Sequence, residues 1–419
     1  MYTGLSLDQA PPFKAVLKFF LTAPLFAVLA AIFTFFSNDL NMYSMQTIAL
    51  VHLFTIGFML MVIFGALQQM LPVVAGAVIP KANTVSNFTY SLMIIGILSF
   101  FIGFYFHKNI FLFISAFTLL LSIIVFIGIC IYQLLKVKPK SMIVQGIIIS
   151  LVFSLFAILV GIHLEISHAR ENLGSIYFIL TTLHYNYIFI GFIFLLIVSI
   201  TFQVVPMFWV TNAFSKSVQK FIIYFTTSIL IVYTFLLFFG FETSFLYKLL
   251  LCFISIYFAI VTIKSITTRK RKLKDLSVYY YTTSMIFLIL GSLYFLFMSF
   301  FELKVEILAI LWGLGFITSI MNGMLYKIVP FLAWFHLSSK GFFDIPTIRD
   351  MIPLKHIEKQ YYLHMISILL LILFFIFNIV LFLKIASVLF IASNLYLFYN
   401  LYKAAKVYLD FDTSQSQLI

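Results

Sequence analysis

Residues 52–76 read HLFTIGFMLMVIFGALQQMLPVVAG and contain no Asp, Glu, Lys or Arg. That is more than the roughly 20 apolar residues a helix needs to cross a bilayer. Within this stretch Gly57, Phe58, Gly65, Gln69 and Pro72 follow the spacing G-F-x6-[GS]-x3-[QK]-x2-P. The spacing returns unaltered at Gly191, Phe192, Ser199, Gln203 and Pro206, and again at Gly315, Phe316, Gly323, Lys327 and Pro330. At about 100° per residue, the second small residue, the Gln or Lys and the Pro lie within about 120° of the first Gly, so each copy marks one helix face. Small residues there let a neighbouring helix approach closely. The proline frees a carbonyl one turn earlier, which the Gln or Lys can satisfy unless it lines a wet cavity.

The rest of the chain fits the same environment. Of 419 residues 63% are hydrophobic and 9% charged, against about half and about a quarter in a soluble domain. Apolar runs bounded by polar clusters predict spans near 13–36, 47–73, 87–106, 109–135, 142–165, 175–209, 218–240, 244–265, 278–301, 305–334, 361–384 and 386–406. The pattern falls on the second, sixth and tenth of these twelve, at intervals of 134 and 124 residues. That spacing predicts three four-helix repeats near 13–135, 142–265 and 278–406. The expected fold is all-α and polytopic: a single transmembrane domain over 1–419, with twelve transmembrane helices in three pseudo-threefold four-helix arcs.

Charge sets the orientation. The amino terminus, the carboxyl tail and the loops after even-numbered spans hold 20 Lys and Arg, including the cluster Arg269, Lys270, Arg271, Lys272 and Lys274. The other side holds five, namely Lys108, Arg170, Lys248, Lys304 and Lys384. Basic residues of short loops stay inside, so both termini are expected in the cytoplasm, with the chain in the inner (cytoplasmic) membrane. The first span follows Lys14 and Lys18, exceeds a signal-peptide core and has no clear cleavage site, so it reads as a retained helix. The net charge of +13 lies between apolar runs rather than on a face. The expected partner is therefore the lipid bilayer and not nucleic acid. Cys130 and Cys252 form neither CxxC nor CxxCH, which argues against disulfide, iron–sulfur and covalent c-type haem chemistry.

Residues 52–76, LHYNYIFIGFIFLLIVSITFQVVPMF at 183–208 and GMLYKIVPFLAWFHL at 323–337 carry a resemblance to subunit I of the haem–copper oxidases and to the twelve-helix NnrS haem and copper membrane proteins. The resemblance covers the helical body at the level of pattern. It implies haem or copper as cofactor, a respiratory or electron-transfer partner and a role in respiratory or nitric-oxide metabolism. In the oxidases the second helix supplies a low-spin haem histidine near the outer face, which His52 matches, and the sixth supplies a copper ligand, which His184 matches. The departures are large. The seventh span lacks the His–His pair of the copper site, and the tenth has none of its expected haem histidines, Ile310 standing where His52 aligns. His336 lies 26 residues past Ile310, about 39 Å along a helix and on the wrong side.

From the residues alone, an imidazole inside a membrane helix is a functional candidate, because its burial is costly and it binds haem iron, copper and zinc. His52 and His184 are the first candidates as cofactor or metal ligands. His163 and His168 follow, since HLEISH at 163–168 groups them with Glu165 near the outer face. The opposing reading is a neutral histidine bonded to a backbone carbonyl, and a wetted cap for HLEISH. His184 aligns two residues ahead of His52, which rotates it by about 200°. His336, His356 and His364 read as lying toward the cytoplasm, His168 in the loop after the fifth span, and His107 in a solvated outer loop. Gln69, Gln203 and Lys327 would form a polar ring at one depth under threefold symmetry, unless Lys327 snorkels to the interface. The loop 340–360 is the longest and reads as solvated.

Two functions follow, beside a third reading as a purely structural or assembly factor. One is a haem- or copper-binding membrane protein on an oxidase-like scaffold without a complete oxygen-reducing centre. The other is a transporter of a metal, a proton-coupled solute or a small molecule, in which repeats rock about a midplane site. The near absence of midplane charge counts against the second. No P-loop, nucleophile triad or dinucleotide fingerprint occurs.

Overall fold

The computed structural model describes residues 11–416 except 39, 242, 243, 271 and 343, and beyond 411 the backbone alone. Arg271 of the basic cluster therefore lies outside the described residues. Every regular element among them is helical. Twelve helices are long and apolar enough to cross a membrane: α1 (Phe13–Phe36), α2 (Met45–Ala75), α3 (Ala82–Tyr105), α4 (Asn109–Lys136), α5 (Met142–Ala169), α6 (Tyr177–Trp209), α7 (Lys216–Phe238), α8 (Ser244–Thr267), α9 (Leu276–Phe297), α10 (Val305–Ser339), α11 (Leu354–Phe377) and α12 (Val380–Phe411). Large apolar side chains such as Phe117, Phe178, Phe235 and Leu381 point outward and are more than 60% exposed. Such a surface suits lipid and not water. The chain is a multi-pass membrane protein.

Three boundaries depart from the sequence expectation. The turn between the last two helices falls at Asn378 and Ile379, not at 384–386. Asn378 adopts the left-handed conformation at φ 55°, which asparagine tolerates, but hydropathy passes over it because both flanks are apolar. Lys384, taken as the loop marker, lies inside α12, where its Nζ donates to the backbone carbonyls of Phe35 and Ser37 at the end of α1. At the other end, α11 begins at Leu354 behind Pro353 and takes in Lys355, His356, Glu358 and Lys359, so the connection shrinks to 340–353. A polar first turn is helical but not apolar, and hydropathy misses it. The third departure is α5, which runs on to Ala169 and carries His168 on the helix instead of in a loop.

The repeated pattern marks helix contacts. A Cβ on Gly57 would lie 2.7 Å from Phe26 of α1, and one on Gly65 2.8 Å from Phe20. On α6, a Cβ at Gly191 would lie 2.6 Å from Phe153 of α5, while Ser199 packs against Gly146 of that helix. On α10, a Cβ at Gly323 would lie 2.7 Å from Tyr280 of α9. In each case the small face receives the helix that precedes it in the chain. Winding changes at the same place. Segments of π-helix occupy Thr55–Leu60, Tyr187–Phe194 and Ile310–Thr318, and each ends three residues after the first glycine of its pattern. Two carbonyls in the last of these are taken by side chains five residues on, Thr318 Oγ1 donating to Gly313 O at 2.9 Å and Ser319 Oγ to Leu314 O at 3.4 Å.

The chain divides into two compact units. The first comprises Met70–Leu273 and Met285–Leu303, in which α5 and α6 pack together and α3 with α4 forms a tight hairpin. The second comprises Pro11–Gln69, Lys274–Ser284 and Lys304–Ile419, in which α12 packs against α1, α10 and α11.

Candidate functional site

The two leading histidines occupy equivalent places. His52 precedes the π segment of α2 by three residues, and His184 precedes that of α6 by three. The two-residue offset between them in the sequence pattern corresponds to the longer π segment of α6. Each is half-buried and donates Nδ1–H to a backbone carbonyl, His52 to Ile48 O at 2.9 Å within its helix and His184 to Ala157 O of α5 at 3.0 Å. Because a carbonyl only accepts, Nδ1 carries a proton in both imidazoles. Gly161 makes room for the second ring, since a Cβ there would sit 2.6 Å from His184 Cε1. His52 belongs to the second unit and His184 to the first.

The HLEISH group does not converge. His163 faces outward, Glu165 is buried with Oε1 unpartnered, and His168 Nε2 bonds the Tyr177 hydroxyl at 2.9 Å. Residues 163 and 165 lie about 200° apart on a helix, which separates them. Among the described residues no three His, Cys, Asp or Glu side chains are grouped to hold a metal ion. The residues of the expected polar ring differ in surroundings. Gln69 is buried with both side-chain polar atoms unpartnered, and its neighbour Gln68 donates to Phe64 O at 3.2 Å. Gln203 is half-buried. Lys327 forms an ion pair with Asp275 at the start of α9. Gln69 and Lys327 belong to the second unit and Gln203 to the first.

The sequence reading missed a buried polar cluster in the second unit. His364, read as lying toward the cytoplasm, is fully buried in α11. Its Nε2 meets Ser319 Oγ of α10 at 3.1 Å, just past the π segment. One turn before it, Gln360 Oε1 accepts from the hydroxyl of Tyr280 and, at 3.4 Å, from that of Tyr326. Gln360 Nε2 donates to Ser393 Oγ at 2.9 Å, and Asn400 Nδ2 to the Tyr326 hydroxyl at 3.0 Å. The signal was present as polar residues at helical spacing, Gln360 with His364 and Ser319 with Asn322 and Tyr326, each diluted by apolar neighbours.

No family model matches the chain, and no curated protein matches it.

Proposed function

We propose that the protein is a haem-binding integral membrane protein on an oxidase-like scaffold of three four-helix arcs, serving respiratory or nitric-oxide metabolism with an electron-transfer partner and lacking an oxygen-reducing centre. The observation that carries the reading is the pair His52 and His184, each three residues ahead of a π segment and each with Nδ1–H given to a carbonyl. That second bond is the usual companion of a metal-ligating imidazole, because it fixes the tautomer and raises the basicity of Nε2. π-Helical turns inside α-helices also favour functional positions.

Between haem and copper, the donors favour haem. A porphyrin brings four nitrogens and needs one or two axial atoms from protein, as a lone histidine supplies. A copper site needs a group of protein ligands, and the described residues hold no such group of three. His52 or His184 would hold the iron and Gly161 would seat the second ring; a bound haem would supply gas binding or one-electron transfer. The protein's own part is to orient each imidazole and keep its proton on Nδ1.

The reading extends to orientation, with both termini cytoplasmic in an inner membrane. Two of the five basic residues assigned to the outer side are spoken for by helix ends. Lys304 donates to Phe375 O and Asn378 Oδ1, each at 2.8 Å, and Lys384 caps α1.

Absorption spectra and haem content of protein produced with haem and copper supplied test the proposal. A Soret band that falls in His52→Ala or His184→Ala is expected. A haem-free protein, or spectra indifferent to both substitutions, would reject it, and a transporter would then be favoured by the buried polar side chains of α10 to α12.

A further inference from the structure

The two ends of the first unit differ in sign. The connections before α3, between α4 and α5, between α6 and α7 and after α8, with the helix turns beside them, hold ten described Lys and Arg and no described Asp or Glu. Nine of the ten are exposed. The described acids of this unit, Glu165, Glu171 and Glu302, lie at the other end, toward the close of α5 and after α9. The second unit is built otherwise. Its basic residues are interspersed with Asp275, Asp344, Asp350, Glu358 and Asp410, and Lys274 pairs with Glu358 at 3.3 Å and Lys327 with Asp275. Among the described residues none of the ten cations of the first unit forms an ion pair.

The fold gathers these cations. Gln145, in the first turn of α5, donates Nε2 to Lys140 O at 3.2 Å and accepts at Oε1 from the Tyr224 hydroxyl of α7 at 2.5 Å, so the α4–α5 connection lies beside the early turns of α7. Lys216, Lys220 and Tyr224 are four residues apart and share one face of that helix. The α6–α7 connection is tied in turn to the end of α8, Lys270 N donating to Val210 O at 3.2 Å and Ser265 Oγ to Thr211 Oγ1 at 3.0 Å. Like charges brought together in this way repel. Helix dipoles do not offset the repulsion throughout. Lys136 and Lys264 stand in last turns, where a cation is favoured, but Lys216 opens α7 and Lys140 lies just ahead of α5, where it is opposed. The remaining source of opposite charge is outside the chain.

The position of the cations selects which anion. Lys136 Nζ lies 4.0 Å from the centroid of the Tyr132 ring, and Tyr132 is 60% exposed on the outer flank of α4. Lys220 is followed by Phe221, which is also exposed. These ammonium groups therefore stand at the rim, above side chains that face hydrocarbon, at the level where tyrosine and lysine meet lipid headgroups. A soluble acidic protein would meet the loops and not this rim. We propose that the basic end of the first unit is a docking surface for anionic phospholipids, whose phosphates gather around Lys136, Lys140, Lys216 and Lys220. Clusters of Lys and Arg immediately beside membrane helices select anionic over zwitterionic headgroups by charge. The second unit, whose cations are interspersed with acids, does not make this selection. The inference does not depend on haem.

The test is the ratio of lipids kept by the full-length protein after incubation in detergent with equal amounts of phosphatidylglycerol and phosphatidylcholine and repurification. The unaltered chain should retain about fivefold more phosphatidylglycerol, and raising the salt tenfold should cut that preference about threefold. Glutamine at Lys140, Lys216 and Lys220 together should bring the ratio near one, while glutamine at Lys355, Lys359 and Lys406 of the second unit, equally exposed, should leave it as in wild type. Equal retention of the two lipids by the unaltered chain would overturn the proposal and leave the surface to an acidic soluble partner. An equal loss in both triple variants would also overturn it, as would release of the lipid by the same concentration of glycerol phosphate, which carries the anion without the chains. The lipid ratio and its salt dependence are read on the unaltered chain, so a variant that fails to fold leaves the proposal open to refutation.

Discussion

Gly161 is a small residue with a large consequence. It is helical and exposed to no unusual backbone demand; its work is to lack a Cβ beside His184. Gly161→Ala places a methyl 2.6 Å from Cε1, so the ring must leave or the α5–α6 contact must open. The expected outcome is a spectrum like that of His184→Ala in a protein that still purifies as a monodisperse species. A spectrum unchanged from wild type would show that the ring position is not what holds the bound group. At this scale the sequence was partly legible. His52 and His184 stand out as imidazoles in apolar runs, but Ala157 O and Gly161 come from another helix, and nothing in the spacing around His184 points to them. The burial of His364 was not legible, because its partner Ser319 comes from another helix and the start of α11 behind Pro353 is hidden from hydropathy by a polar first turn.

Among elements, α2, α6 and α10 are distinguished by their winding. The G-F spacing identified them, and Gly57, Gly65, Gly191, Ser199 and Gly323 met the partners that a small-residue face leads one to expect. The π segments were not legible, because a widened turn leaves no periodic signature in an all-apolar stretch where every residue is equally acceptable on every face. The contacts make a direct prediction. Gly57→Val and Gly191→Val each force a branched side chain into an aromatic ring that lies within 3 Å of the glycine's ideal Cβ. Overpacking of this kind costs about 1–3 kcal/mol. Thermal unfolding in detergent should show both variants destabilised by similar amounts, while valine at Gly128, which has no neighbour within 4 Å, should leave the midpoint near wild type. A large loss at Gly128 alone would contradict the assignment of contact faces.

For the whole molecule, twelve spans and their approximate positions were legible because a bilayer sets helix length and apolarity together. The boundary at 384 was misplaced for a reason that also bears on orientation: a lysine was treated as a solvated loop residue when it is bonded to carbonyls. Reporter fusions after residues 140 and 272 should read cytoplasmic, and one after residue 172 external. The reverse pattern would invert the proposed orientation and put the Asp275–Lys327 ion pair toward the outer side.

Lys384 also bears on the order in which the protein is made. The carbonyls of Phe35 and Ser37 that it satisfies leave the ribosome about 350 residues before it does. Domains and helices emerge from the amino terminus first, so the end of α1 waits through the synthesis of ten helices for its cap. Until α12 inserts, those acceptors must be held by water or headgroups at the membrane surface, and the first helix keeps its freedom to move. α12 thus clasps the end of α1. A nascent chain that stalls before residue 384 leaves that clasp open.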